Sequence, residues 1–178
     1  MIRLFAAVEI PPETGEELQA AQRGLEGARW RPLEALHVTL RFFGEVRESV
    51  AADLDTELAR ITCPPFDLSL EGAGSFGEGH KARAVWAGVG ESEPLRQLAA
   101  RAEAAARRVG VAPENRRYKP HVTLAYLKHA DAQKTFDWVG RHNLMRSPPF
   151  RVTWFGLWSS WLSPQGSRYE LEREYPLV

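Results

Sequence analysis

The 178-residue sequence contains a single cysteine, Cys63, and this excludes an internal disulfide and a cage of thiolate metal ligands. It has no excess of either charge, because 23 Lys and Arg residues match 23 Asp and Glu residues. A protein that coats long nucleic acids needs a continuous basic surface, so the balance argues against that class but not against a local phosphate site. No segment has the ~20 apolar residues of a membrane span, and no signal-peptide pattern is present. We expect a cytoplasmic protein without a membrane association.

Hydrophobic residues make up 44% of the chain and charged residues 26%, as in ordinary globular proteins. Periodicity and turn residues predict helices over 13–27, 48–61, 94–109 and 130–139. They predict strands over 3–10, 36–43, 66–70, 82–89, 120–127, 150–160 and 168–175. The glycine-rich stretch from Gly72 to Gly79 is expected to be a loop.

A short sequence occurs twice. His37-Val38-Thr39-Leu40 returns as His121-Val122-Thr123-Leu124, at an offset of 84 residues, and the same offset superposes Pro64-Pro65-Phe66 on Pro148-Pro149-Phe150. We interpret this as an internal duplication. The predicted fold is α+β and bilobal, with two mainly antiparallel sheets, flanking helices and a central cleft. Because both halves contribute to that cleft, residues 1–178 are expected to form a single domain.

The repeated tetrapeptide places polar groups on one face of each strand. Side chains at positions i and i+2 of a strand point the same way. His37 and Thr39 therefore share one face of the first motif strand, and His121 and Thr123 share one face of the second. Two imidazoles form an acid–base pair near neutral pH, as phosphodiester cleavage needs, while threonine hydroxyls bind phosphate oxygens. The tetrapeptides contain no carboxylate for a metal ion, so we expect neither a metal nor another cofactor.

A single His-x-Thr on a strand is most often an exposed polar face. After a duplication, apolar residues are kept in both copies because the core needs them. Packing does not require that a polar His/Thr pair be kept in both copies, so the paired motif favours catalysis. The other histidines, His80, His129 and His142, lie in loops or beside charged residues and are interpreted as surface residues.

At these residues the sequence resembles the two-histidine phosphoesterases, and among them the RNA 2′,3′-cyclic phosphodiesterases, also called 2′-5′ RNA ligases. The resemblance covers nearly the whole chain. It is carried by Arg3-Leu4-Phe5-Ala6-Ala7 with Pro11, Ala28-Arg29-Trp30, His37 to Gly44, Lys119 to Ala125, Ser163 to Tyr169 and Tyr175-Pro176-Leu177.

The resemblance implies a metal-independent enzyme that opens an RNA 2′,3′-cyclic phosphate to a 2′-phosphate and has a weak 2′-5′ ligation activity. It implies that His37 is the proton donor to the departing 3′-oxygen and that His121 is the base that activates water. Thr39 and Thr123 would then bind the phosphate. The two motifs are identical, so the sequence alone does not decide which histidine is the acid.

Four further residues are candidates for substrate binding. Arg41 shares the strand parity of His37, and Lys119 shares that of His121, so each is either a substrate contact or a solvated charge. Tyr126 corresponds to Phe42 at the 84-residue offset, and this pair either stacks on bases or packs in the core. Many relatives have an arginine shortly after the second motif, where this chain has Ala125-Tyr126-Leu127-Lys128.

Three alternatives remain open from the sequence. One is a related phosphoesterase that acts on 2′-5′ oligonucleotides or small cyclic nucleotide phosphates. The second is a non-catalytic module that binds RNA ends, and the third is a metal-dependent hydrolase. The expected partner is an RNA end or an oligonucleotide, with no obligate protein partner, and we expect a monomer.

Overall fold

The computed structural model describes all residues, 1–178. Ten strands and four helices follow one another along the chain. The strands are β1 (Ile2–Glu9), β2 (Ala28–Trp30), β3 (His37–Val46), β4 (Phe66–Leu68), β5 (Leu70–Phe76), β6 (Ala84–Val89), β7 (His121–Leu127), β8 (Phe150–Val152), β9 (Trp154–Ser163) and β10 (Gly166–Pro176). The helices are α1 (Pro12–Ala21), α2 (Glu48–Ala59), α3 (Glu93–Arg108) and α4 (Ala132–His142), and short 3-10 turns cover Leu33–Ala35 and Gly79–Lys81. No helix has both the length and the apolarity to cross a membrane.

The strands form two four-stranded antiparallel sheets and a two-stranded ladder. The first sheet has the order β10-β9-β1-β3, the second has the order β2-β7-β6-β5, and β4 pairs with β8. Helices α2 and α3 pack together on the first sheet, while α4 packs on β5 of the second. The predicted α+β class, with antiparallel sheets, flanking helices and a cleft between them, is confirmed.

The duplication is visible as a pseudo-twofold arrangement in which the halves exchange strands. In chain order, β5 of the first half corresponds to β9 of the second. However, β5 pairs with β6, which belongs to the second half, and β9 pairs with β1, which belongs to the first. In the ladder between β4 and β8, Asp67 lies directly opposite Arg151, its equivalent at the offset of 84 residues. The pseudo-twofold axis therefore passes through this pair. One cluster of 35 buried residues extends through both sheets, so each half completes the core of the other.

Local chemistry explains where the helices begin and why α1 is shorter than predicted. Ser92 accepts a hydrogen bond from the Leu95 N–H at the start of α3, and Asp131 accepts one from the Lys134 N–H at the start of α4. The predicted helix over 13–27 ends instead at Ala21, and left-handed φ angles at Gly24 (76°) and Gly27 (79°) follow.

The predicted loop over 72–79 is wrong, because Leu70–Phe76 forms the edge strand β5. Its glycines serve packing. A Cβ added at Gly74 would lie 2.4 Å from the Trp86 ring, and one added at Gly156 in β9 would lie 2.5 Å from the Trp158 ring. Both glycines thus leave room for a tryptophan ring to lie flat on the backbone.

Candidate active site

A cleft of about 400 Å³ lies between the two sheets, where β3, the edge of the first sheet, meets β7 of the second. His37 and Thr39 line it from β3, and His121 and Thr123 line it from β7. The structure therefore brings together the four residues that the repeated motif predicted. We call His37, Thr39 and Phe42 the first half-site, and His121, Thr123 and Tyr126 the second half-site.

Hydrogen bonds hold the two half-sites in place relative to each other. The Tyr118 hydroxyl, from the loop before β7, donates to the Thr39 carbonyl at 2.9 Å. The Gln22 amide, after α1, donates to the Leu124 carbonyl on β7 at 3.1 Å and to the Arg31 carbonyl at 2.8 Å. The bonds of Tyr118 to Thr39 and of Gln22 to Leu124 join residues 79 and 102 positions apart, so the cleft is fixed by tertiary packing.

A β-bulge follows each His-x-Thr. On β3, Ala7 pairs with Thr39 but Ala6 pairs with Arg41, so the strand has an extra residue at this position. The same irregularity on β7 separates Thr123 from Ala125. A bulge shifts the alternation of side chains by one, so the next residue that faces the cleft is five positions after the histidine. That position is occupied by Phe42 and by Tyr126.

The bulge overturns the prediction that Arg41 reaches the substrate. Arg41 is 8% exposed and points to the opposite side of the sheet, where it forms an ion pair with Glu103 of α3. Its guanidinium also donates to the Ala112 carbonyl at 2.6 Å and to the Phe42 carbonyl. Strand alternation does not place Arg41 in the cleft, because β3 is interrupted by the bulge. Arg41 is instead a buried structural cation.

Phe42 and Tyr126 line the cleft, so the alternative of core packing is excluded. They are 43% and 49% exposed, the values expected of rings that are open to a ligand. A guanidinium lies 5.0 Å from the centre of each ring, contributed by Arg3 over Phe42 and by Arg31 over Tyr126. Sequence reasoning missed both arginines as cleft residues, since neither lies near a histidine motif in a position that strand parity would select.

Lys119 is placed differently from the prediction. Its side chain is exposed and is not among the groups that line the cleft, and its ammonium lies 4.7 Å from the centre of the Trp86 ring. Its carbonyl, however, accepts a hydrogen bond from Nδ1 of His121 at 2.7 Å. This bond places the proton of a neutral imidazole on Nδ1 and leaves Nε2 as the free acceptor.

The His37 ring is enclosed by aromatic side chains. Phe5 stacks on it at a centroid distance of 4.9 Å, Trp158 lies parallel at 6.4 Å, and Tyr169 meets it edge-on at 5.8 Å. Burial, the positive charge of Arg31 and the proximity of His121 lower the pKa of His37 from 6.5 to about 4. The free protein thus holds a neutral imidazole here at neutral pH.

His121 is flanked by two aromatic rings and has one hydrogen-bond partner, the Lys119 carbonyl. Phe76 contacts its ring edge-on at 4.7 Å, and the Trp86 ring lies 6.1 Å away. Burial lowers the pKa of His121, the bond to the Lys119 carbonyl opposes that change, and the Lys119 charge adds to it. The surroundings of both histidines therefore favour the neutral imidazole over the protonated form.

No carboxylate lines the cleft, and no group of three or more His, Cys, Asp and Glu residues is arranged to hold a metal ion. The polar groups available are two imidazoles, hydroxyls and two guanidinium groups. This set binds an anion and moves protons. A duplicated α+β fold with two such half-sites in one cleft defines the class of two-histidine phosphoesterases.

Comparison with known proteins agrees with this class. Residues 10–160 match the family model described as the 2′-5′ RNA ligase superfamily. The RNA 2′,3′-cyclic phosphodiesterase of Escherichia coli K12 is 32% identical over 185 residues, covering 99% of this chain and 97% of its own. That of Archaeoglobus fulgidus is 30% identical over 172 residues, covering 95% and 97%. The chain belongs to the 2′-5′ RNA ligase superfamily.

Solved structures show the same fold over the full length. A protein of Thermus thermophilus superposes with a TM-score of 0.84 at 27% identity, covering 99% of this chain and 98% of its own. E. coli LigT in complex with 3′-AMP superposes with a TM-score of 0.80 at 30% identity, with the same coverage.

Proposed function

We propose that this protein is a metal-independent RNA 2′,3′-cyclic phosphodiesterase, which opens the cyclic phosphate at an RNA end to a 2′-phosphate. The observation that carries the proposal is the single cleft to which the duplicated strands each contribute one histidine and one threonine. The relatives of E. coli and A. fulgidus, which match almost the whole chain, have the same named activity.

In the proposed reaction, Nε2 of His121 takes a proton from water while the water oxygen attacks phosphorus. The bond between phosphorus and the ribose O3′ breaks, and His37 donates a proton to that oxygen. The product has a 2′-phosphate and a 3′-hydroxyl, and the Thr39 and Thr123 hydroxyls donate hydrogen bonds to the non-bridging oxygens. The hydrogen bond from His121 Nδ1 to the Lys119 carbonyl supports the role of base, because it leaves Nε2 free to accept.

The role of acid requires that His37 gain a proton when the substrate binds. In the free protein the pKa of His37 is lowered to about 4, so few molecules are protonated at neutral pH. A bound phosphate places a negative charge beside the imidazole and raises its pKa. We therefore expect substrate binding and protonation of His37 to be coupled.

The exposed rings of Phe42 and Tyr126 are proposed to stack on nucleobases, one from each half-site. Two base positions around one phosphate favour a second candidate activity, the joining or cleavage of a 2′-5′ linkage between two nucleosides. In this proposal Lys119 acts through its carbonyl on His121.

The exchange of strands and the shared core favour a single domain over residues 1–178. The monomeric state and the cytoplasmic location remain predictions from the sequence. Gel filtration tests the first, and fractionation of cells tests the second.

The decisive experiment is incubation of an RNA oligonucleotide ending in a 2′,3′-cyclic phosphate with the protein in excess chelator. We expect complete conversion to a 2′-phosphate end, identified by its resistance to a 3′-specific phosphatase. A 2′-5′-linked dinucleotide in parallel reactions tests the second candidate. No turnover of either substrate contradicts the proposal of catalysis, activity that only a divalent ion restores contradicts the metal-free mechanism, and a 3′-phosphate product contradicts the roles assigned to the histidines.

A further inference from the structure

Arg31 is a cation in the cleft without an anionic partner. It follows β2, which pairs with β7 of the second sheet, and the chain then crosses to β3 of the first. Its backbone is fixed in both directions: its N–H donates to the Leu124 carbonyl at 2.8 Å, and its carbonyl accepts from Gln22. The position of this residue is therefore determined by the same strand that presents His121.

Two tyrosine rings hold the Arg31 guanidinium. Its carbon lies 5.0 Å from the centre of the Tyr126 ring and 5.3 Å from that of Tyr169, and one terminal nitrogen donates to the Tyr169 hydroxyl. Tyr169 belongs to β10 and Tyr126 to β7, so both sheets contribute to the clamp. The remaining N–H donors are unused by the protein.

The charge of Arg31 is not neutralised. Ten ion pairs are formed in the structure, and Arg31 is in none of them, although it is only partly exposed and lines a cleft without carboxylates. A partly buried guanidinium is costly unless an ion of opposite charge compensates it. Arg31 and His37 line the same cleft, and the positive charge of Arg31 lowers the pKa of His37.

We propose that Arg31 is the phosphate-binding cation of this enzyme, which donates to a non-bridging oxygen and stabilises the charge of the transition state, while Tyr126 and Tyr169 fix its orientation. The inference rests on the proposed function and adds a residue to its catalytic machinery. A guanidinium suits the task because it stays charged at neutral pH and has N–H donors free for a phosphate oxygen. A bound phosphate then compensates the positive charge that, after burial, contributes most to the lowered pKa of His37, and so favours protonation of this histidine.

The Arg31 guanidinium lies beside position 126, which follows the second His-x-Thr motif on β7. The Tyr126 ring occupies the cleft wall directly beneath the Arg31 guanidinium, so an arginine side chain at position 126 would extend into the same space from β7. In this chain a cation from β2 takes that place, and the residue on β7 supplies the aromatic surface that supports it.

The test compares Arg31→Gln, Arg31→Lys and the control Arg29→Gln, an exposed neighbour on β2 outside the cleft lining. For R31Q we expect kcat/KM for the cyclic-phosphate oligonucleotide to fall roughly 10²-fold, mostly in kcat, as when a transition-state donor is lost. We expect affinity for inorganic phosphate to fall at least about tenfold in R31Q, to be retained within about tenfold in R31K, which preserves the charge, and to be unchanged in R29Q.

Two further readouts separate phosphate binding from a structural role. In an NMR titration, R31Q should raise the pKa of His37, because a positive charge has been removed. The double variant R31Q/Y126R should recover at least about tenfold of the lost kcat/KM, because it returns a guanidinium to the cleft from β7. If R31Q proves unstable in a thermal melt, Arg31→Met takes its place, because it removes the charge but keeps an apolar stem to pack on the tyrosine rings, and it should show the same loss of phosphate affinity.

Unchanged phosphate affinity and kcat in R31Q overturn the inference, as does a folded R31K that loses phosphate binding completely. If the wild type binds phosphate through Arg31 but does not hydrolyse the cyclic phosphate, the proposed function fails while the anion site stands. If the wild type hydrolyses the substrate and R31Q does so equally well, only the assignment of Arg31 fails.

Discussion

The first and second half-sites have the same motif, the same bulge and an aromatic ring at the same position, but the groups around their histidines differ. His37 is enclosed by Phe5, Trp158 and Tyr169, and neither of its ring nitrogens has a hydrogen-bond partner in the protein. His121 is anchored through Nδ1 to the Lys119 carbonyl. The duplication thus preserved what positions the imidazoles and hydroxyls, while the surroundings that govern protonation diverged.

A second difference lies behind the bulge. Arg41 of the first half has Ala125 as its equivalent, and only the former forms an ion pair with a helix. The faces directed toward the cleft have stayed similar, because both bind one phosphate. The opposite faces have followed the different packing of their own sheets.

The largest effect is expected from the histidines. His37→Ala and His121→Ala should each lower turnover of a cyclic-phosphate RNA by about 10²–10⁴-fold, because each removes a proton-transfer group. Affinity for a nucleoside 2′-phosphate should change much less. His129→Ala, at an exposed position outside the cleft, is the control. Loss of activity in only one of the two variants would mean that the half-sites do not act as an acid–base pair.

The next prediction concerns Arg41, which lies on the face of β3 opposite the cleft and should affect stability but not substrate binding. Arg41→Ala should lower the free energy of unfolding by about 3 kcal/mol, because it leaves Glu103 without its buried partner. KM should remain unchanged. Arg107→Ala removes an exposed partner of the same Glu103, with an ion-pair distance of 2.8 Å, and should cost less than about 1 kcal/mol. Urea unfolding and steady-state kinetics measure both. A raised KM at unchanged stability would place Arg41 in the substrate site after all.

The sequence predicted the histidines and threonines of the cleft better than it predicted the charged residues around them. The paired His-x-Thr was recognisable because it depends on two-residue alternation and on an exact repeat. Arg41 was misplaced because a bulge cannot be read from alternation. Arg31 was missed because it reaches the cleft only through the pairing of β2 with β7, and the exchange of β5 and β9 also depends on pairing between distant segments. Gly74 suggested a loop, although its role is to make room for the Trp86 ring.

A third prediction concerns the enclosure of His37. Its pKa is about 4 in the folded protein and 6.5 when unperturbed, so the unfolded chain binds more protons between these values and stability falls as the pH falls through that window. Between pH 7 and pH 5 the loss from this residue is about 2 kcal/mol, an upper value for a half-buried group. Urea unfolding of wild type and His37→Gln should show the smaller pH dependence in the variant. If the free energy of unfolding changes with pH equally in wild type and variant, His37 is not shielded from protonation.

The smallest effect is expected at the aromatic pair. Phe42→Ala and Tyr126→Ala should each lower kcat/KM about tenfold, because stacking of one base contributes about 1–3 kcal/mol. Phe136→Ala is the control, since this ring is 74% exposed on α4 and lies outside the cleft. Any further loss in Tyr126→Ala measures the support that this ring gives to Arg31. If neither variant differs from wild type, the rings are not base platforms.

The difference between the two imidazoles is tested most directly with a cyclic substrate in which sulfur replaces the 3′-oxygen. A thiolate leaves without a proton, so an enzyme that lacks its general acid should cleave this substrate well, while one that lacks its base should not. We predict that His37→Ala recovers to within about tenfold of wild type on the 3′-thio substrate and that His121→Ala stays at least about 10²-fold slower. Recovery of His121→Ala instead would reverse the two roles, and recovery of neither would contradict acid catalysis at the 3′-position.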